Sequence, residues 1–270
     1  MPRTISLEYD VNPKPRWGYD LPAHPRLTAI IDSNRATIEG MLAATQEYRD
    51  YFATIKPHEA EDGPAPYWHN GWFPALDAVV LTSILANTKP GQLFEIGSGN
   101  STKFARAAIS RFSLPTRILS IDPNPRAAIN ALCDETVRAG LETVDLTVFD
   151  RLEPGDILFV DNSHIALQNT DVTVFFTEIL PRLKPGVLIQ IHDIYLPWDY
   201  VESWAERFYN EQYLLACWLL AAPQRFEIVA TNFYTLVDEG LKSHVRPLWT
   251  LPCLADVPIS GGSFWFRLRH

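Results

Sequence analysis

The chain has 270 residues, 47% of them hydrophobic, with a formal net charge of −9; this excludes a disordered chain and a nucleic-acid backbone as main partner, since phosphate binding needs clustered Lys and Arg. Cys133, Cys217 and Cys253 are odd in number and widely spaced, which argues against a disulfide framework or a zinc site. No stretch is long enough to span a membrane and the N-terminus lacks an apolar signal core, so a cytoplasmic protein is expected.

Residues 1–26 are rich in Pro and turn formers and read as a surface arm. Ile30, Ile31, Ile38, Met41, Leu42, Tyr48 and Phe52 then recur at helical spacing, predicting one long amphipathic helix over 27–54. With the arm it forms an N-terminal extension, residues 1–71, ahead of a main domain over 72–270. The aromatic stretch 66–74 suits a packed loop anchoring the extension, or a substrate rim. Pro74 fits the first turn of a helix running to about Asn87.

A buried strand begins at Leu93, turns at Gly97 and Gly99, and becomes a helix near Ser101. Gly tolerates positive φ and close approach of a ligand, and the helix start offers free N–H groups. Glu95 at the strand tip disfavours an anion there and suits a cationic ligand. A second strand, 117–122, ends at Asp122, where an acid can accept two ribose hydroxyls. A helix through Ile129, Leu132 and Val137, a third strand near 142–146 and a short crossover at 149–155 follow. Strand four spans 156–161 and strand five 187–193, with a helix carrying Val172 to Leu183 between them. An aromatic helix over 200–221 offers a face for a homodimer, and 226–230 and 263–268 are the last strands. Such alternation predicts a doubly wound, mostly parallel, seven-stranded α/β sheet. Glu95, Asp122, Asp161 and Asp193 all sit at strand ends, so one pocket is expected to hold four acids.

Glu95-Ile96-Gly97-Ser98-Gly99 resembles motif I of class I S-adenosylmethionine (SAM) dependent methyltransferases, with Ser101 at the third glycine position. The dinucleotide fingerprint would want glycine where Thr102 stands. The later Ile121-Asp122-Pro123, the run from Phe159 to His164, Leu183 to Gly186 and Ile191 to Ile194 also resemble, in matched order, the bacterial subgroup of sugar and macrolide O-methyltransferases. The resemblance spans roughly residues 72–270 and implies a Rossmann-like fold whose last strand is inserted antiparallel.

It further implies SAM binding by Glu95, Gly97, Ser98, Gly99, Ser101, Asp122 and Asp161, and methylation of a small hydroxylated acceptor of sugar or natural-product type. His164 would be the general base, since a hydroxyl must lose its proton, with His192 a second catalytic candidate or a loop-holding residue. In metal-binding relatives, Asp161 and Asp193 would be Mg²⁺ ligands; some such relatives carry an acid where His192 stands, and imidazole is a poorer partner for this hard cation. Two other functions fit the same topology: an NAD(P)-dependent oxidoreductase, disfavoured by Glu95 beside the turn, and a non-catalytic SAM-binding or interaction protein.

Overall fold

The computed structural model describes residues 5–59, 63–125 and 128–269. Seven strands form its frame: β1 Gln92–Ile96, β2 Arg117–Ile121, β3 Glu135–Val137, β4 Ile157–Val160, β5 Leu188–Ile191, β6 Phe226–Thr231 and β7 Phe264–Leu268. Their order is β3-β2-β1-β4-β5-β7-β6. The first five pair in parallel, and β7 runs antiparallel between β5 and β6. All four residues of β4 are buried, as a central parallel strand with helices on both faces requires. Strand order reverses between β1 and β4, so the loops leaving them open a crevice at their carboxyl ends.

The N-terminal region is helical but is not one helix. It comprises α1 Pro25–Asp32, α2 Arg35–Ala44, a 3-10 turn Thr45–Tyr48 and α3 Arg49–Phe52. The break falls at Asn34, whose Nδ2 donates to the Ile30 carbonyl at 3.0 Å and whose Oδ1 accepts from the Ile228 N–H at 3.2 Å. One side chain thus ends α1 and satisfies a donor of the edge strand β6. Leu27, Ile31, Ile38, Leu42 and Phe52 join the same core as the sheet.

Helix α4, Ala75–Thr88, starts directly after Pro74 and is buried almost throughout. Its apolar residues cover every side, as expected of a helix enclosed by its neighbours. Helix α5, Asn100–Arg111, follows the glycine turn.

Four further expectations are corrected. The third strand is β3, not residues 142–146, and the helix expected over Ile129, Leu132 and Val137 is one 3-10 turn, Asn130–Leu132. Arg106 holds this segment by donating to the Leu132 carbonyl and to Asp134, and Asp134 accepts the Ile118 N–H of β2. Residues 1–4 of the expected arm lie outside the described residues.

The helix carrying Val172 to Leu183 is a short α6, Asp171–Val174, continued by a π turn and a 3-10 turn to Arg182. The aromatic helix over 200–221 is split into a 3-10 turn Glu202–Arg207 and α7 Glu211–Ala221, separated by Phe208 at φ +53°. Between β6 and β7 lie α8 Asn232–Val237 and α9 Glu239–Val245. Among the described residues no helix is long and apolar enough to cross a membrane.

Candidate active site

The loop leaving β1 is built around Gly97, at φ +79°. A Cβ there would lie 1.7 Å from the Asp161 carbonyl oxygen, so the β1 and β4 loops touch where only glycine fits. Gly99, at φ 175°, is extended; the left-handed turn needs one glycine rather than two. Asp122 closes β2 by accepting the Ser98 N–H at 2.8 Å and the Asn124 N–H at 2.7 Å. Ser98 and Ser120 hydroxyls meet at 2.7 Å beneath it.

Glu95 is fully buried and its Oε2 accepts from the Thr102 hydroxyl at 2.6 Å, while Thr102 Oγ1 accepts the Gly99 N–H at 3.2 Å. Burial outweighs the Thr102 and Ser101 hydrogen bonds and pushes its pKa up to about 7. It lies sealed beneath the glycine turn and holds Thr102 in the first turn of α5.

Two cavities open above the strand ends. The first, about 400 Å³, is lined by Gly97, Ser98, Asp122, Leu141, Glu142 and Asp161 among others. The second, about 650 Å³, is walled by aromatic residues including Trp72, Phe73 and Tyr209, with His164, His192 and Asp193 at its base. Asp161, Asn162 and Ser163 line both. Ser101 lines a small recess with Ser98, Gly99 and Trp72.

The four expected acids are therefore divided. Asp122 belongs to the first cavity, Asp193 to the second and Asp161 to both, while Glu95 lines neither. Stretch 66–74 is anchor and rim together: Asn70 Oδ1 accepts the Trp72 and Phe73 N–H groups and an Asn100 Nδ2 donor, while Trp72 is exposed over the cavity.

Each histidine is clamped from behind by a buried carboxylate. His164 Nδ1 donates to Glu211 Oε2 at 2.9 Å, and His192 Nε2 donates to Asp77 Oδ2 at 3.0 Å. Their other nitrogens face the same two acids. His164 Nε2 lies 3.3 Å from Asp161 Oδ1 and 3.5 Å from Asp193 Oδ2. His192 Nδ1 lies 3.3 Å from Asp193 Oδ1 and 3.7 Å from Asp161 Oδ1.

Burial alone would lower both imidazole pKa values, but hydrogen bonds and charge from Asp161 and Glu211 hold His164 well above its ordinary 6.5. The charges of Asp193 and Asp161 and the Asp77 bond likewise lift His192 to about 10. Burial raises Asp193 despite both histidines. His164 and Asp193 also hold left-handed backbone, at φ +60° and +55°. Such strain persists only where surrounding contacts impose it, and it clusters at functional sites.

Mg²⁺ favours oxygen ligands in near-octahedral geometry and keeps several waters. Here two imidazole nitrogens face the space between Asp161 and Asp193, and among the described residues no three His, Cys, Asp or Glu side chains form a group able to hold a metal. The donor set does not fit Mg²⁺. In this structure the two aspartates, expected as metal ligands, face the histidine nitrogens at 3.3–3.7 Å.

Residues 94–194 match the family described as a methyltransferase domain. The matched segment holds the glycine turn, Asp122 and the Asp161–Asp193 cluster, on a sheet whose last strand is inserted antiparallel. Over these residues the chain carries a methyltransferase domain.

Solved structures similar to this chain include three bound to SAH or SAM. One is the SAH-bound Podospora anserina methyltransferase PaMTH1 (13% identity, 84% of this chain and 88% of that one, TM-score 0.42). Another is the Bacillus cereus O-methyltransferase with SAH (15%, 93% and 94%, 0.41). A third is cmcI with Mg and SAM (15%, 82% and 84%, 0.43). A comparison with curated proteins finds no match.

Asp77 and Glu211 are the residues that sequence reasoning missed. Asp77 did carry a signal, as the one acid in the apolar run Ala75 to Leu81, where an ion needs a buried partner. Glu211 opens an ordinary helix and carried none. Leu141 and Glu142 of the first cavity, and Tyr195, Trp204, Arg207 and Tyr209 of the second, come from irregular segments whose course periodicity does not reveal.

Proposed function

We propose that this methyltransferase transfers the methyl group of SAM to a hydroxyl oxygen of a small acceptor, of sugar or natural-product type, held in the aromatic cavity. The observation that carries this reading is the His164–Glu211 pair at the base of the second cavity, one residue beyond a loop shared with the first. SAM supplies a methyl on a sulfonium, a leaving group that needs no protonation. The protein's task is to hold donor and acceptor in line and to take the acceptor's proton.

Asp122 is the proposed ribose anchor, with Ser98, Gly97 and Asp161 forming the remaining wall and Glu95 and Thr102 holding the loop. Its two carboxylate oxygens each accept one backbone N–H, and each retains a further lone pair for an acceptor bond. Asp122→Ala is expected to weaken SAH binding at least about tenfold, through lost hydrogen bonds to a charged group. Isothermal titration measures it, and unchanged affinity would remove Asp122 from the cofactor site.

His164 is the proposed general base, with Glu211 fixing the ring. A base must be deprotonated, and Asp161 and Glu211 both favour its protonated form. The acid limb of the acceptor kcat/KM profile should therefore lie above 6.5, with activity rising as pH passes neutrality. Glu211→Gln removes one of the raising groups and should move that limb to lower pH, by roughly one unit. A limb that stays put would mean that another group takes the proton. The aromatic walls suit the flat face of a sugar or an aromatic ring. We read residues 72–270 as the catalytic unit and 1–71 as its extension.

A further inference from the structure

His192 Nδ1 is buried and has no hydrogen-bond partner. It points between Asp193 Oδ1 at 3.3 Å and Asp161 Oδ1 at 3.7 Å. The ring cannot turn away, because its Nε2 is held by Asp77. Asp77 is in turn fixed by Asn232 Nδ2 at 2.6 Å, the Gly262 N–H at 3.0 Å and the Ser263 N–H at 2.9 Å. Phe73 packs 5.6 Å from the imidazole, centroid to centroid, and makes one side of it apolar.

Building on the methyl-transfer reading above, we propose that the Asp77-held His192 takes the position a divalent cation would occupy between Asp161 and Asp193. Its Nδ1–H neutralises the two carboxylates from beneath the cavity, so that transfer in this enzyme needs no divalent metal. A ring with a carboxylate at each nitrogen carries a proton on both, which makes it a fixed cationic donor. His164 repeats the pattern from the opposite side, leaving no oxygen-only shell for a hard cation. The apolar Phe73 face also opposes the waters that Mg²⁺ retains. The arrangement provides what a metal would provide to an oxygen nucleophile, namely positive charge at a fixed point.

The test is calorimetric and needs no acceptor. EDTA-stripped wild-type protein is titrated with MgCl₂, MnCl₂ and ZnCl₂, and separately with SAH before and after EDTA. We expect no saturable metal binding and the same SAH affinity in both states. His192→Glu combined with Asp77→Asn restores an oxygen donor without setting it against a buried anion. This double variant should gain Mg²⁺ binding at least about tenfold tighter than any seen in wild type.

Saturable binding of any of the three metals to wild type, abolished by Asp193→Asn, would overturn the proposal whether or not the double variant folds. Failure of SAH to bind in either state would instead count against the cofactor reading, leaving the metal titrations to stand by themselves.

Discussion

His164→Asn is expected to lower kcat on any acceptor the enzyme turns over by roughly 10²–10⁴-fold, the usual contribution of a general base. Asn is the replacement of choice because His164 sits at φ +60°, a conformation that Asn tolerates better than most residues. SAH affinity should stay within about threefold, well under the tenfold that 1.4 kcal/mol represents, because His164 lines only the second cavity.

The variant also leaves Glu211, completely buried, facing an amide where an imidazole stood. Breaking a buried pair in this way costs about 3–5 kcal/mol, enough to confuse lost catalysis with lost fold. The double variant His164→Asn/Glu211→Gln removes the orphaned charge and should recover most of that stability without recovering activity. Thermal melts and single-turnover methyl transfer on both variants separate the two effects. Activity that returned along with stability would show that His164 holds the site without moving a proton.

The parts of the molecule written in regular patterns were legible. The largely apolar runs at 93–96, 157–160 and 188–191, interrupted only by Glu95 and Gln190, read as buried parallel strands, and Asp161 and Asp193 beyond the last two lie where the crevice opens. Residues 135–137 and 202–210 were not legible, because long-range polar contacts set their course. Arg106 pins the segment before β3 through Leu132 and Asp134, and Asn210 accepts the Ala166 N–H from a separate loop.

The division of the four acids was hidden for a related reason. A strand-end position says which end of the sheet a residue occupies, but not which face it meets. Glu95 and Asp122 end neighbouring strands, yet one is sealed beneath the loop while the other lines the cavity. Asp77 and Glu211 were hidden more deeply still, since each lies far along the chain from the histidine it holds: His192–Asp77 spans 115 positions and His164–Glu211 spans 47. Both acids escape notice by motif, yet they decide what the two histidines can do.

Gly97→Ala is expected to produce the largest structural effect of any single methyl in the chain. The new Cβ would meet the Asp161 carbonyl oxygen at 1.7 Å and its carbon at 2.7 Å, and both are backbone atoms with no rotamer to turn aside. The left-handed φ of +79° adds its own strain for any residue with a side chain. Overpacking and backbone strain together should cost about 3–5 kcal/mol.

The damage is not confined to stability. Separating the loops after β1 and β4 moves Ser98 away from Asp122, and Asp161 away from the His164–His192 pair, so both cavities deform together. SAH binding should therefore disappear even at temperatures where the variant remains folded. Gly40→Ala is the matched control. Gly40 is exposed within α2 and an added Cβ there meets nothing within 4 Å, so this change should be neutral or gain up to about 1 kcal/mol. Denaturant unfolding and SAH titration of the two variants side by side give the comparison. A Gly97→Ala protein with wild-type stability and SAH affinity would mean that the β1 and β4 loops do not touch as described, and the junction that joins the two cavities would have to be redrawn.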